Sequence, residues 1–301
     1  MNPKIVVLGS RGMIGNSVVR YFNAQKLDVL EINREGACVS PENKVFKFDV
    51  LQNSVSEILN VIEPESTIIN LIGVIRHKID LTDKRNLEKA RAVNSFFPLE
   101  LVKVSEGKGC RVIQVATDCV FSGATGNYTE SSIPDPIDFY GLSKLAGETQ
   151  AKNLLTLRVS VIGHELTKHI ELLDWVLRQP YKSKLKGFTN HIWNGITSLT
   201  LARILEAEIK NQTYKFGTYH IVPNGQTDKF QLINEIALMG GRADILIEKL
   251  ADTKFVNRTL LTDFELKNRE IWKRAGYSTT PSISMMLQEY FDWEIALAQG
   301  K

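Results

Sequence analysis

The chain has 301 residues, 43% hydrophobic and 24% charged, with 37 basic against 34 acidic side chains for a formal charge of +3. That is chain enough for about two domains of ordinary globular composition, and it excludes a disordered, collagen-like or disulfide-stapled protein. A balance this close to neutral gives no electrostatic ground for a nucleic-acid or anionic-membrane partner. Cys38, Cys110 and Cys119 are odd in number and share no C-x-x-C spacing, so they read as reduced thiols. The longest apolar stretch, Ile68 to Ile75, is broken by Asn70 and Gly73 and falls far short of the roughly 20 residues that cross a bilayer. The apolar run at the amino terminus is too short for a secretory signal, so a cytoplasmic location is expected.

In chain order, short β-branched runs alternate with helical patterns: KIVVL (4–8), DVLEI (28–32), KVFKF (44–48), STIINL (66–71), CRVIQVA (110–116) and LLTLRVS (154–160). Between them, Val18, Val19 and Phe22, and later Phe97, Leu101 and Val104, keep the spacing of one helix face. Runs that are apolar throughout, rather than alternating, mark strands covered on both sides. The expected fold class is therefore α/β, a Rossmann-type doubly wound parallel sheet. Beyond about residue 163 the rhythm weakens, with Pro180, a KSKLKG stretch and a turn at Pro223-Asn224-Gly225. SLTLARILEAEIK (198–210) and ISMMLQEYFDW (283–293) predict helices of a smaller carboxy-terminal α/β lobe. The expected division is 1–162 and 163–301, with some later segments free to return to the first domain.

Gly9, Gly12 and Gly15 stand as G-x-x-G-x-x-G directly after the first strand and at the head of the first helix. There glycine permits a tight turn and lets backbone approach a pyrophosphate, which the positive helix end attracts. Arg11, Met13 and Ile14 complete the loop expected to line a dinucleotide. The position eighteen residues beyond Gly15, where an NAD enzyme usually offers a carboxylate to a ribose, is Asn33, followed by Arg34. Arg34, helped by Arg11, suits a 2′-phosphate through charge-assisted hydrogen bonds, so NADPH is the expected cofactor, with NADH compatible. The alternative is a solvated Arg34, with Glu31 on a ribose hydroxyl. After the fourth strand, Leu71 and Gly73 either let backbone approach the ribose side of the cofactor or make a plain turn.

Residues 116–148, ATDCVFSGATGNYTESSIPDPIDFYGLSKLAGE, carry the densest constellation. Tyr140 and Lys144 stand four apart on a predicted helix and so project from one face. A phenol with an ordinary pKa of about 10 is a poor acid–base group at neutral pH, and an ammonium beside it favours the phenolate. Lys144 can also hold ribose hydroxyls of a nicotinamide cofactor. Thr117, at the end of the fifth strand, is placed to bond a substrate carbonyl or alkoxide, completing a Thr/Tyr/Lys set.

The glycine spacing resembles that of the extended short-chain dehydrogenase/reductase superfamily. TDCVFSG, YTE and P-x-P-x-x-x-YGLSKLAGE resemble the dTDP-4-dehydrorhamnose reductase family, and RAVNSFFPLEL (91–101), TLRVSVIG (156–163) and WNGITSLTLARIL (193–205) extend the match. The resemblance implies NADPH-dependent reduction of a nucleotide-linked 4-keto-6-deoxy sugar in deoxysugar, capsule or O-antigen biosynthesis. It also implies Asp49-Val50 near the adenine, Asn94 supporting the active site and cofactor, Arg158 as a structural anchor, and a homodimeric habit that no residue here displays. Two departures bear on the sugar. Cys119 stands where the family has Tyr, and RVSVIGHEL, with His164, replaces R-T-S-W-V-F-G. Asp118, Cys119 and His164 are thus candidates for the sugar pocket, and Trp193 and Asn194 either meet the base or sugar or pack the lobe. No metal site is expected, because His164 and His169 would lie about 140° apart around a helix. Dehydration is disfavoured by Cys119. The remaining alternatives are an epimerase, which fits poorly with Arg34, and a non-catalytic NADP-binding regulatory subunit like that of methionine adenosyltransferase, which fits poorly with Thr117, Tyr140 and Lys144 together.

Overall fold

The six apolar runs form six strands in the computed structural model, which describes residues 5–210 and 216–299. They are β1 (Ile5–Leu8), β2 (Val29–Asn33), β3 (Lys44–Lys47), β4 (Thr67–Asn70), β5 (Arg111–Ala116) and β6 (Leu154–Arg158). Lys4, which begins the first run, lies outside the described residues. The strands pair in parallel, with Leu8 opposite Ile32 and Asn70, and Ala116 opposite Arg158. β1 and β4 are buried along their whole length, as befits central strands covered on both faces. The order across the sheet is β6, β5, β4, β1, β2, β3, with a further strand, Gly217–His220, added at the β6 edge. The sequence reading predicts no strand there, since GTYH is short and lacks an apolar run.

Helices α1 (Met13–Ala24), α2 (Ser56–Leu59), α3 (Lys84–Arg91), α4 (Phe97–Glu106) and α5 (Phe139–Leu145) connect these strands. The chain winds from β1 outward through β2 and β3, then returns to β4 on the other side of β1. The strand order therefore reverses between β1 and β4, the place where open α/β sheets bind ligands. Val6, Leu8, Ile32, Ile68, Phe97 and Leu101 belong to one buried cluster beneath this sheet. Between α3 and α4, Ala92–Phe96 widens into a π-helical turn. Pro98 explains it: proline has no N–H for the carbonyl four residues back, that of Asn94, and its ring would crowd that oxygen.

The residues gather into two units. One comprises Met1–Ser122, Ser132–Arg158 and Ile209–Tyr219, and the other Gly123–Ser131, Val159–Glu208 and His220–Lys301. In the second unit, Lys184–Phe188 pairs in parallel with Leu246–Leu250, and His191–Trp193 lies between Thr227–Asp228 and Val256–Asn257. The two expected helices appear as Ser198–Lys210 and Ile283–Ala298, the latter capped by Ser282 Oγ, which accepts the Met285 N–H. The YTE motif is a staple of this unit. Glu130 accepts the N–H groups of His220 and Asp263 and the hydroxyl of Thr262 at 2.7–2.8 Å. No described helix is long and apolar enough to cross a membrane.

Candidate active site

The glycine loop turns where β1 ends. Gly9 has φ +82°, in the left-handed region that strains any side chain, and a Cβ there would lie 3.1 Å from the Leu71 carbonyl carbon. At Gly15 a Cβ would come within 2.1 Å of the Gly9 carbonyl oxygen, so the first turn of α1 rests directly on the loop. Gly12 precedes α1 in an extended conformation, with no side-chain cap and no acidic residue in the first turn. Gly12 is exposed and Arg11, Met13 and Ile14 are half-buried. The helix end thus presents its positive pole and N–H donors without an internal anion to occupy them.

The end of β2 differs from expectation. Asn33 is buried, donating to Ser10 Oγ and the Ala37 carbonyl at 2.9 Å and accepting from the Glu35 and Gly36 N–H groups. Both amide hydrogens are committed, so Asn33 shapes the turn and offers no side-chain donor to a ligand. Glu31 is fully buried and accepts from the Val39 and Ser40 N–H groups and from Asn43 Nδ2, which removes the alternative that places it on a ribose. Periodicity could not reveal this, because both side chains serve the turn after β2. Arg34 is exposed. Arg11 Nε is ion-paired with Glu35, so an anion at Arg11 would share it with a carboxylate. Asp49 is half-buried and accepts the Leu51 N–H at 2.9 Å, while Val50 packs against the buried cluster.

At the end of β5, Thr117 is buried, and its hydroxyl accepts the Cys119 N–H at 3.1 Å and donates to Asp118 Oδ1 at 3.2 Å. Cys119 Sγ lies 3.8 Å from the same oxygen. The helix α5 packs tightly on this turn, since a Cβ on Gly141 would fall 2.2 Å from the Cys119 carbonyl oxygen. Tyr140 therefore sits on the first turn of α5, half-buried. One turn on, Lys144 is 9% exposed, and its Nζ donates to the Val115 carbonyl at 3.4 Å. Burial lowers its pKa to about 8, against the opposing pull of the Glu148 carboxylate. Glu148 is itself gripped by Arg158, with contacts of 2.6–3.2 Å, and the guanidinium lies over the Phe121 ring.

Asn94 joins these parts. From the π turn it accepts the Val74 N–H, donates to the Val74 carbonyl and donates to Ser143 Oγ, at 2.8–2.9 Å. It holds neighbours in place and, like Asn33, has no donor left. A Cβ on Gly73 would lie 3.6 Å from Asn94 Oδ1 and 3.9 Å from Lys144 Nζ. Gly9, Leu71, Gly73, Asn94 and Lys144 thus form a continuous line from the glycine loop to α5. Gly147, where a Cβ would meet the Asn94 carbonyl at 2.1 Å, is needed for this approach; in the sequence it stands only as part of the YGLSKLAGE motif, with no role assigned to it.

The candidates of the second unit are engaged within it. Trp193 is buried and donates from Nε1 to Ser160 Oγ at 2.8 Å. Asn194 pairs through its amide with both backbone groups of Leu260, acting as a backbone substitute. His164 and His169 do not lie on a helix. Both direct Nδ1 at the buried Asp174, at 2.6 and 3.2 Å, so no helical angle separates them. Burial would raise the Asp174 pKa, but bonds from His164, the Glu165 N–H and His169 outweigh it and lower it to about 2.

The chain is similar to several known proteins. Methionine adenosyltransferase 2 subunit beta of Xenopus laevis is 25% identical over 244 residues, 76% of this chain and 70% of that protein. The probable low-salt glycan biosynthesis reductase Agl14 of Haloferax volcanii is 30% identical over 163 residues, 52% of each chain. A dTDP-4-dehydrorhamnose reductase from Bacillus anthracis, solved in complex with NADP, superposes with a TM-score of 0.73 at 17% identity, covering 97% of this chain and 99% of that one. The RmlD substrate binding domain model matches residues 3–258, most of the chain, so the chain belongs to this family.

Proposed function

We propose that the protein is an NADPH-dependent reductase of a nucleotide-linked 4-keto-6-deoxy sugar, serving deoxysugar, capsule or O-antigen assembly in the cytoplasm, with NADH as a weaker substitute. The observation that carries this reading is the buried Lys144 ammonium one turn beyond Tyr140, under the strand end that bears Thr117. A protein could discard so unfavourable a charge if no chemistry required it. The cradle fits a dinucleotide: the spaces beside Gly9 and Gly15 admit no side chain, the α1 end lacks an internal anion, and exposed Arg34 suits a 2′-phosphate. When bound, NADPH supplies the hydride. Tyr140 delivers the proton to the sugar oxygen. Lys144 holds the phenol near a workable acidity and binds ribose hydroxyls. Thr117 bonds the same oxygen once its hydrogen turns away from Asp118.

The test is Tyr140→Phe, assayed for both cofactor binding and reduction. NADPH binding is expected to persist while turnover falls by about 10²-fold or more, and undiminished reduction would sink the assignment. A second reading, a non-catalytic NADP-binding regulatory subunit, is favoured by the likeness to the Xenopus laevis protein. It requires a stable complex with a partner enzyme and no turnover of any sugar, both measurable by co-purification and the same assay.

A further inference from the structure

After β4 the segment Gly73–Lys78 passes the head of α5 and is fastened to it at two points. The first is Asn94, which bonds Val74 on one side and Ser143 on the other. The second is an ion pair. Asp138 caps α5, its Oδ1 accepting the Gly141 N–H at 2.8 Å. Its Oδ2 is buried with no partner in hydrogen-bonding geometry, and Arg76 Nε stands 3.3 Å from it. Exposed ion pairs contribute little, because water screens both charges and two side chains lose freedom. This one is asymmetric. The Arg76 side chain is 67% exposed but that of Asp138 only 17%, and a buried carboxylate oxygen without its cation is costly to leave alone. The pair therefore selects one position for the first turn of α5, which carries Tyr140.

We infer that Arg76 is a positioning residue for Tyr140: through Asp138 it clasps the Gly73–Lys78 segment to the head of α5 and sets where the phenol stands relative to Lys144. The kinetic half of this inference rests on the reductase reading, whereas the clasp itself does not. Hydrogen exchange at Gly141 in the full-length, cofactor-free protein tests the clasp, and kcat and KM with a turned-over keto sugar test its consequence. In Arg76→Met the Gly141 amide should exchange about tenfold faster or more. Its kcat should fall about tenfold to a hundredfold, with the KM for NADPH changed by less than about twofold. Arg76→Lys should recover most of both. Unchanged exchange in Arg76→Met overturns the clasp, and faster exchange with unaltered kcat overturns the positioning role. Equal losses in Arg76→Lys and Arg76→Met overturn a charge-based clasp. Absence of turnover in the wild type would count against the reductase reading, and exchange would still decide the clasp.

Discussion

Replacing Lys144 with methionine should make the cofactor-free protein more stable at neutral pH, although it removes a residue the chemistry needs. Lys144 is 9% exposed, and burial lowers its pKa from 10.5 to about 8, with Glu148 pulling the other way. The folded protein thus holds this proton less tightly than the unfolded chain. At about 1.4 kcal/mol per pH unit, the gap corresponds to roughly 3 kcal/mol. The cost is present in full below about pH 8. Between there and about pH 10.5 the unfolded chain carries a proton that the folded one lacks, so stability rises with pH until the cost is gone. Methionine keeps the length without the charge but loses the Val115 bond, leaving an expected gain of about 1–3 kcal/mol near pH 7, or about 2–5 °C in Tm. Urea unfolding of both proteins near pH 7 and near pH 10 measures it, with the advantage of the variant shrinking at the higher pH. A variant less stable than wild type at neutral pH, or a difference independent of pH, would refute the reasoning.

Gly15→Ala would press a methyl group onto the Gly9 carbonyl at 2.1 Å. It should cost about 1–3 kcal/mol of stability and weaken NADPH binding in a fluorescence titration. Arg34→Ala should weaken NADPH by about tenfold or more and NADH much less, and equal losses would count against a 2′-phosphate contact. Glu148→Gln leaves Arg158 buried without its counter-charge and should cost about 3–5 kcal/mol in urea unfolding.

The sheet was legible because strands covered on both faces need long apolar runs, and runs such as Ile5–Leu8 and Thr67–Asn70 have no other use. Tyr140 and Lys144 were legible because four residues along a helix is a fixed geometry. The engagement of Asn33 and Glu31 in their own turn was hidden for a different reason. Whether a polar side chain at a strand end meets a ligand or its own turn depends on the path of residues 33–43, which carries no periodic signal. His164 and His169 were read against a helix that the chain does not form, so their convergence on Asp174 could not appear. The Gly217–His220 strand is set by the edge β6 leaves open rather than by its own composition. Arg76 gave no signal either, because its importance comes from a carboxylate oxygen that only folding buries.

The most direct test of the central claim follows NADPH consumption by the purified protein against dTDP-, UDP- and GDP-linked 4-keto sugars. The account predicts consumption that depends on one such sugar and yields its reduced product in equal amount. Firm NADPH binding with no consumption by any member of the set would contradict it, and would favour a protein that keeps the cofactor site for regulation.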